Sequence, residues 1–244
     1  MIENPEYRDQ LAKYLSAYGI ACDEQACVLM LRHLDLVVAK NEVMNLTRIV
    51  DPEDALVRHA VDSLLLLPMT TSLGVSSEGR FLDVGTGAGF PGIPLALATG
   101  MRGKLIDSVG KKVNAVSEFL DELGLAGRVT AQAVRAEELA RKEPSTYDMV
   151  TARAVAELGV LVEYATPLLM MGGALVVSKA NISDEEMSRG VATGKIVGME
   201  LVSRETYELP HDTGHREIIA FKRTRKSRIK LPRQTGAAKH KPLA

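Results

Sequence analysis

A doubly wound, mostly parallel α/β sheet is the fold class the sequence predicts, and three observations predict it. Short apolar runs alternate with helix-period segments from Phe81 to Ser178, the pattern of strands joined by crossover helices. A glycine-rich turn follows the first of these runs, and the residues ahead of it carry only helical periodicity. At 244 residues the chain can bury a sizeable core and fits one large domain with an appendage.

In the front region Leu11, Leu15 and Tyr18 recur at helical spacing across residues 5–18, Pro5 falls in the first turn, and Gly19 stops the helix. A second helix is expected over 23–40, where Cys27, Met30, Leu31, Leu34 and Val38 share a face and Asp23 can cap the start. A third is expected over 52–67, with Asp51 as its cap, Pro52 in its first position and Pro68 ending it. The stretch LGVSSEGR at 73–80 loses periodicity and reads as a linker.

Strands are then expected at 81–84, 104–106, 128–131, 147–151 and 174–178, with helices at 91–99, 111–123, 136–141 and 157–170 between them. A further helix at 183–190 precedes two β-rich segments, 194–204 and 215–223. With only a turn between them, these two should pair as an antiparallel hairpin at the sheet edge. The expected division is a helical region at 1–77, the α/β domain at 78–223 and a tail at 224–244.

The formal charge of -1 conceals a dipolar chain. Residues 222–244 hold nine Lys and Arg and no acid, while the other 221 residues carry 21 basic and 31 acidic side chains, so +9 stands against -10. A cluster that includes Arg225, Lys226, Arg228, Lys230 and Arg233 needs counter-charges, and phosphates supply them most economically. A polyanion is the natural partner. Pro232, Gly236 and Pro242 predict an extended, turn-rich tail and no additional helix. Cys22 and Cys27 are the only cysteines and read as small buried apolar side chains, so no metal site is expected. No run approaches eighteen apolar residues and the start carries no basic-plus-apolar leader, which predicts no membrane span and a reducing, cytoplasmic location.

The segment FLDVGTGAGFPG at 81–92 sets Gly85, Gly87 and Gly89 between a buried strand and a helix. Glycines there permit positive φ and close approach of a ligand to the backbone. No GK[ST] follows, so a phosphate-cradling ATP or GTP loop is disfavoured. Dinucleotide and S-adenosylmethionine binding remain. Asp107 ends the next strand, where its carboxylate can accept both hydroxyls of a ribose, a contact either ligand needs. Asp83, two residues before the first glycine, can meet a cationic amino-acid ligand and tilts the choice toward the methyl donor.

Ligands of open α/β sheets collect beyond the carboxyl ends of the strands. Ala136 and Glu137, past the third strand, offer a flat apolar slot and backbone hydrogen bonds for an adenine ring. Arg153 ends the fourth strand, and its guanidinium fork matches a phosphate or a guanine edge; the plainer alternative is an ion pair with Glu157. Lys179 is a second cation at the same rim. In front, Asn45, Leu46 and Thr47 form a polar turn, and Arg58, His59, Asp62 and Ser63 lie within two turns of one helix, where Arg58 and Asp62 have i,i+4 spacing.

Five segments in order, NLT at 45–47, RHAVDSL at 58–64, FLDVGTGAGFPGIPLA at 81–96, IDSVGKKVNAVSEFL at 106–120 and TARAVAEL at 151–158, resemble the bacterial ribosomal small-subunit guanine-N7 methyltransferase G family, historically called glucose-inhibited division protein B. The resemblance runs from about residue 20 to the end. It implies a Rossmann-like methyltransferase sheet and S-adenosylmethionine-dependent methylation of guanine N7 in the 530 loop of 16S ribosomal RNA, position 527 in the usual rRNA numbering. The target would be the assembled or nearly assembled 30S subunit, and the enzyme a monomer. By the same resemblance Asp83, Gly85, Thr86, Gly87, Gly89, Phe90, Asp107, Ala136, Glu137 and Arg153 line the donor pocket. Arg153 and Lys179 face the acceptor as the catalytic pair, and Asn45, Arg58, His59 and the tail hold RNA. One departure is Ala180, where the family pattern has glycine after the lysine. The competing readings are a nicotinamide-dependent oxidoreductase and a non-catalytic RNA-binding or ribosome-assembly protein.

Overall fold

Asn4 caps the first helix, α1 (Pro5–Ala17), in a computed structural model that describes residues 4–244. The next helix, α2 (Glu24–Asn41), starts at the predicted cap, with the Asp23 carboxylate accepting from the Ala26 N–H at 2.6 Å. The third predicted helix is instead a broken path: α3 (Pro52–Ala55), a π-helical stretch Leu56–Val61, α4 (Asp62–Leu64) and α5 (Leu66–Ser72). Pro68 does not end it. It lies in the first turn of α5, where a missing N–H leaves no hydrogen bond unmade.

The α/β part runs β1 (Arg80–Val84), α6 (Gly92–Ala98), β2 (Arg102–Asp107), α7 (Gly110–Glu122), β3 (Val129–Ala133), α8 (Ala136–Lys142), β4 (Tyr147–Arg153), α9 (Leu158–Ala165), β5 (Leu169–Lys179), α10 (Asp184–Val197), β6 (Met199–Glu208) and β7 (His215–Arg223). The seven strands lie in the order β3-β2-β1-β4-β5-β7-β6. The first five are parallel, and β7 is antiparallel to both β5 and β6, so the expected edge hairpin is present. Element bounds differ from expectation most at two junctions, α9–β5 and α10–β6. Helix α9 stops at Ala165, ahead of Pro167, which has no N–H to extend the ladder, and β5 begins in residues expected to be helical. Helix α10 runs to Val197 and ends on Gly198 at φ 88°, taking Gly194 out of the predicted strand.

Side chains of successive strand residues point to opposite faces, and the sheet accordingly separates two apolar clusters. Phe81, Leu105, Met149, Val176 and Ile218 face the one that also contains α1, α2 and the π-helical stretch, so the front helices share a core with the sheet. Leu82, Ile106, Val150, Val177 and Ile219 face the other, against α8, α9 and α10. The tail folds back onto this second side. Contrary to the sequence expectation it contains a short helix, α11 (Ala237–His240), whose Ala238 is buried in that cluster.

Candidate active site

The strand order reverses between β1 and β4, and the loop after β1 stands at that switch point. Gly85 (φ 74°) could take no side chain, because a Cβ would meet Val155 Cγ2 at 2.5 Å. The Gly85 and Thr86 amides donate to the Ile106 carbonyl at 2.8 and 3.0 Å, tying the loop to β2. From the front helices, His33 Nε2–H donates to the Ala88 carbonyl at 2.9 Å. The loop is thereby held from both sides of the chain's sequence.

A cavity of about 370 Å³ opens beside it, inside the range of about 300–1,000 Å³ common for small-ligand sites. Gly85, Thr86, Gly87 and Phe90 line one side, and Asp107, Ala136 and Glu137 line the exits of β2 and β3. Arg153 and Ala154 come from the exit of β4, with Thr47 and His59 from the front region. Ala154 sits at φ 55°, a strained backbone for a non-glycine residue at the cavity wall.

Asp107 uses both carboxylate oxygens to shape the site, accepting from Gly87 N at 3.2 Å and Val109 N at 2.9 Å. Asp83 and Gly89 do not line the cavity. Asp83 lies wholly buried beneath the loop and accepts from Gly92 N at 3.0 Å at the start of α6, while its Oδ1 has no partner. Burial pushes its pKa up to about 6, with the Gly92 amide pulling the other way. Gly89 is tight for a different reason: a Cβ there would meet Ile93 Cδ1 at 2.6 Å.

Arg153 does not pair with Glu157, which is held by Arg189. Its Nη1 donates to the Arg58 carbonyl at 2.8 Å and to Asp62 Oδ2 at 3.1 Å, and its Nη2 approaches His59 Nδ1 at 3.3 Å. His59 must then carry its proton on Nε2, facing the Thr47 hydroxyl at 3.1 Å. Burial, reinforced by the Arg153 charge, lowers the His59 pKa to about 3, so the ring is neutral. It stacks on Phe90 at 4.3 Å with planes 7° apart, and the Arg153 guanidinium stands 5.5 Å from the same ring centroid.

Other predicted residues are placed differently. Lys179 does not line the cavity: its ammonium is bound by Glu186 and the Ala156 carbonyl. Ala180 has no positive φ, so this turn does not require glycine. Asp62 pairs with Arg153 and Arg216 and not with Arg58, which lies 3.8 Å from Asp54. Asn45 is exposed and outside the cavity, whereas its neighbours Leu46 and Thr47 line it and donate their amides to the Asn41 side chain. In the tail, Arg233 is committed to Glu163 and Arg225 to the Lys195 carbonyl. Lys226, Arg228 and Lys230 are exposed, with side chains that form no ion pair among the described residues.

Sequence reasoning missed Lys112, Tyr164 and Lys239 as cavity residues. Lys112 belongs to the GKK run at 110–112 just beyond Asp107 and was legible there, but Tyr164 and Lys239 reach the site only through packing of α9 and α11. Among the described residues no cluster of His, Cys, Asp and Glu could hold a metal, and no helix is long and apolar enough to cross a membrane.

Residues 26–210 match the family described as rRNA small subunit methyltransferase G. A ribosomal RNA small subunit methyltransferase G of Deinococcus radiodurans is 41% identical over 217 residues, covering 87% of this chain and 83% of its own. That of Geobacillus kaustophilus is 36% identical over 237 residues, covering 96% and 98%. Among solved structures, a SAM-dependent O-methyltransferase of Thermotoga maritima aligns with a TM-score of 0.52 at 16% identity, over 78% of this chain and 72% of that one. Geranyl diphosphate methyltransferase in complex with SAM aligns with a TM-score of 0.52 at 13% identity, over 66% and 85%. The structural likeness shows the Rossmann-like methyltransferase fold. The sequence match, which takes in the glycine loop, Asp107, Glu137 and Arg153 of the cavity, is what assigns the chain to the rRNA small subunit methyltransferase G family.

Proposed function

We propose that this chain transfers a methyl group from S-adenosylmethionine to N7 of a guanine in the 530 loop of 16S ribosomal RNA. It acts as a cytoplasmic monomer on assembled or nearly assembled 30S subunits. The reading rests on the single cavity that joins the glycine loop to Asp107 and carries Arg153 at its wall.

The residues present suit the donor. Gly87 lines the cavity, and a Cβ there would meet only the Gly85 carbonyl, at 4.0 Å, so its absence leaves room for a ligand against the backbone. Asp107 offers ribose-accepting oxygens, and Ile106, Val134 and Ala136 supply an apolar slot for adenine. S-adenosylmethionine, when bound, supplies an electrophilic methyl on a sulfonium centre.

Guanine N7 carries an in-plane lone pair, so the site needs no general base. The chain's task is to align the base, and orientation alone can contribute up to roughly 7–11 kcal/mol in ideal cases. Arg153 keeps Nε–H and one Nη2–H beyond its contacts with Arg58, Asp62 and His59. Those can hold guanine O6 or a phosphate while N7 stays open to the methyl. A base inside a duplex could not reach the cavity, so the acceptor is an unstacked loop nucleotide. Exposed Lys226, Arg228 and Lys230 add salt-sensitive backbone contacts.

Mapping N7-methylguanine in 16S rRNA from cells with and without this protein tests the reading. The 530-loop methyl should vanish without the protein and return on complementation. Its full retention, with no redundant enzyme, would reject the proposal.

A further inference from the structure

The end of the chain is built into the cavity. Arg233 forks onto Glu163 of α9, Nε to Oε1 at 2.8 Å and Nη2 to Oε2 at 2.6 Å, and Glu163 is only 5% exposed. Arg141 of α8 donates to the Arg233 carbonyl at 3.0 Å. Three residues on, the Gly236 N–H donates to Glu137 Oε1 at 2.8 Å, so a tail amide occupies the carboxylate of a cavity residue. Ala238 plugs into the apolar cluster under α9. These anchors deliver Lys239 to the wall of the cavity that Ala136, Glu137 and Tyr164 also line, with no hydrogen bond from its ammonium to any described residue.

We propose that the Arg233–Lys239 segment is a wall of the donor site, in which Lys239 contacts the adenosyl half of S-adenosylmethionine and the Arg233–Glu163 pair positions it. The proposal rests on the donor reading above and deepens it. A lysine offers N–H donors and no acceptor, which suits the ring nitrogens of adenine and the oxygens of ribose. A sulfonium centre repels it. The exit of β3, where the tail is pinned by the Gly236 amide on Glu137 three residues before Lys239, is the end of the cavity that suits an adenine ring. The basic tail thus divides between two tasks, with Arg233 and Lys239 serving the donor and the exposed cations ahead of them serving RNA.

Calorimetry with S-adenosylhomocysteine and with 5′-methylthioadenosine, which lacks the amino-acid half, separates the possibilities. Lys239→Ala should weaken both by about tenfold, with Lys239→Arg recovering most of the loss. Arg233→Gln should weaken both as well, and in turnover assays both variants should raise KM for the donor and leave KM for RNA unchanged. Lys239 is exposed, so its variants keep the test valid even if Arg233→Gln unfolds, which thermal melting would report. Unchanged affinity for both probes, a loss confined to S-adenosylhomocysteine, or a change only in KM for RNA would overturn the proposal. Failure of the unaltered protein to bind S-adenosylhomocysteine would overturn the donor reading itself.

Discussion

Asp62 of α4 holds Arg153 of β4 at 3.1 Å, and the same carboxylate oxygen accepts from Arg216 of β7 at 2.8 Å. Its other oxygen takes the Ser178 hydroxyl of β5 at 3.0 Å. One carboxylate, 2% exposed, therefore joins the front helices to three strand ends. Asp62→Asn leaves two guanidinium groups without their counter-charge and should cost about 3 kcal/mol, as expected for breaking a buried pair from one side. Urea unfolding should show a lower midpoint at unchanged slope; a cost below about 1 kcal/mol would mean that water replaces the carboxylate.

Removing Arg153 is a different experiment, because Asp62 keeps Arg216 and Ser178. Arg153→Ala should retain S-adenosylhomocysteine binding in calorimetry. Methyl transfer to 30S subunits should fall by about 10²-fold or more, the scale for losing one oriented polar contact in a transition state. Unchanged turnover would remove Arg153 from the acceptor side.

The two glycines of the loop should separate stability from binding. Gly85→Ala drives a methyl to 2.5 Å from Val155 and forces alanine to φ 74°, so both melting temperature and donor affinity should drop. Gly87→Ala meets no close atom and should cost about 1–2 kcal/mol for its left-handed backbone, yet it should lose donor affinity because the new methyl enters ligand space. Wild-type affinity in Gly87→Ala would place the ligand elsewhere.

Stability should fall as the solution is acidified from neutrality. Burial lowers the pKa of His33 to about 4 and that of His59 to about 3, so below pH of about 6.5 the unfolded chain takes up two protons that the folded chain refuses. Burial raises Asp83 to about 6, so the folded chain gains that proton first, which stabilises it over the same interval. Two groups against one leave a net loss on the order of 1 kcal/mol per pH unit between about pH 6 and 4. His33→Gln keeps a donor for the Ala88 carbonyl and should flatten the slope. Urea titrations across this range measure it, and stability that rises on acidification would contradict the assignment.

The caps at Asp23 and Asp51, the strand–glycine–helix unit at β1 and the closing hairpin were legible because each depends on neighbours a few residues away. The broken path through Leu56–Val61 was not, since its apolar spacing reads as an ordinary helix. Its irregularity goes with tertiary partners: the Arg58 carbonyl meets Arg153, and the His59 ring lies on Phe90. Lys179 misled in the other direction. A cation at a strand end suits a ligand rim, but the sequence does not disclose that Glu186 folds back to bind it.

Sequence alone determined the parallel α/β class, the glycine loop with Asp107 beyond it, the family resemblance and the +9 segment, because these are encoded in local spacing and composition. Tertiary structure decided which charges are spent and which remain. Arg153 meets Asp62 across 91 positions and Arg233 meets Glu163 across 70, partnerships fixed by the order of strands in the sheet and the return of the tail over α9. Buried charges require partners wherever packing can supply them. For that reason the tail's basic residues, equivalent in sequence, divide in the folded chain into anchors, a cavity wall and an exposed cationic surface.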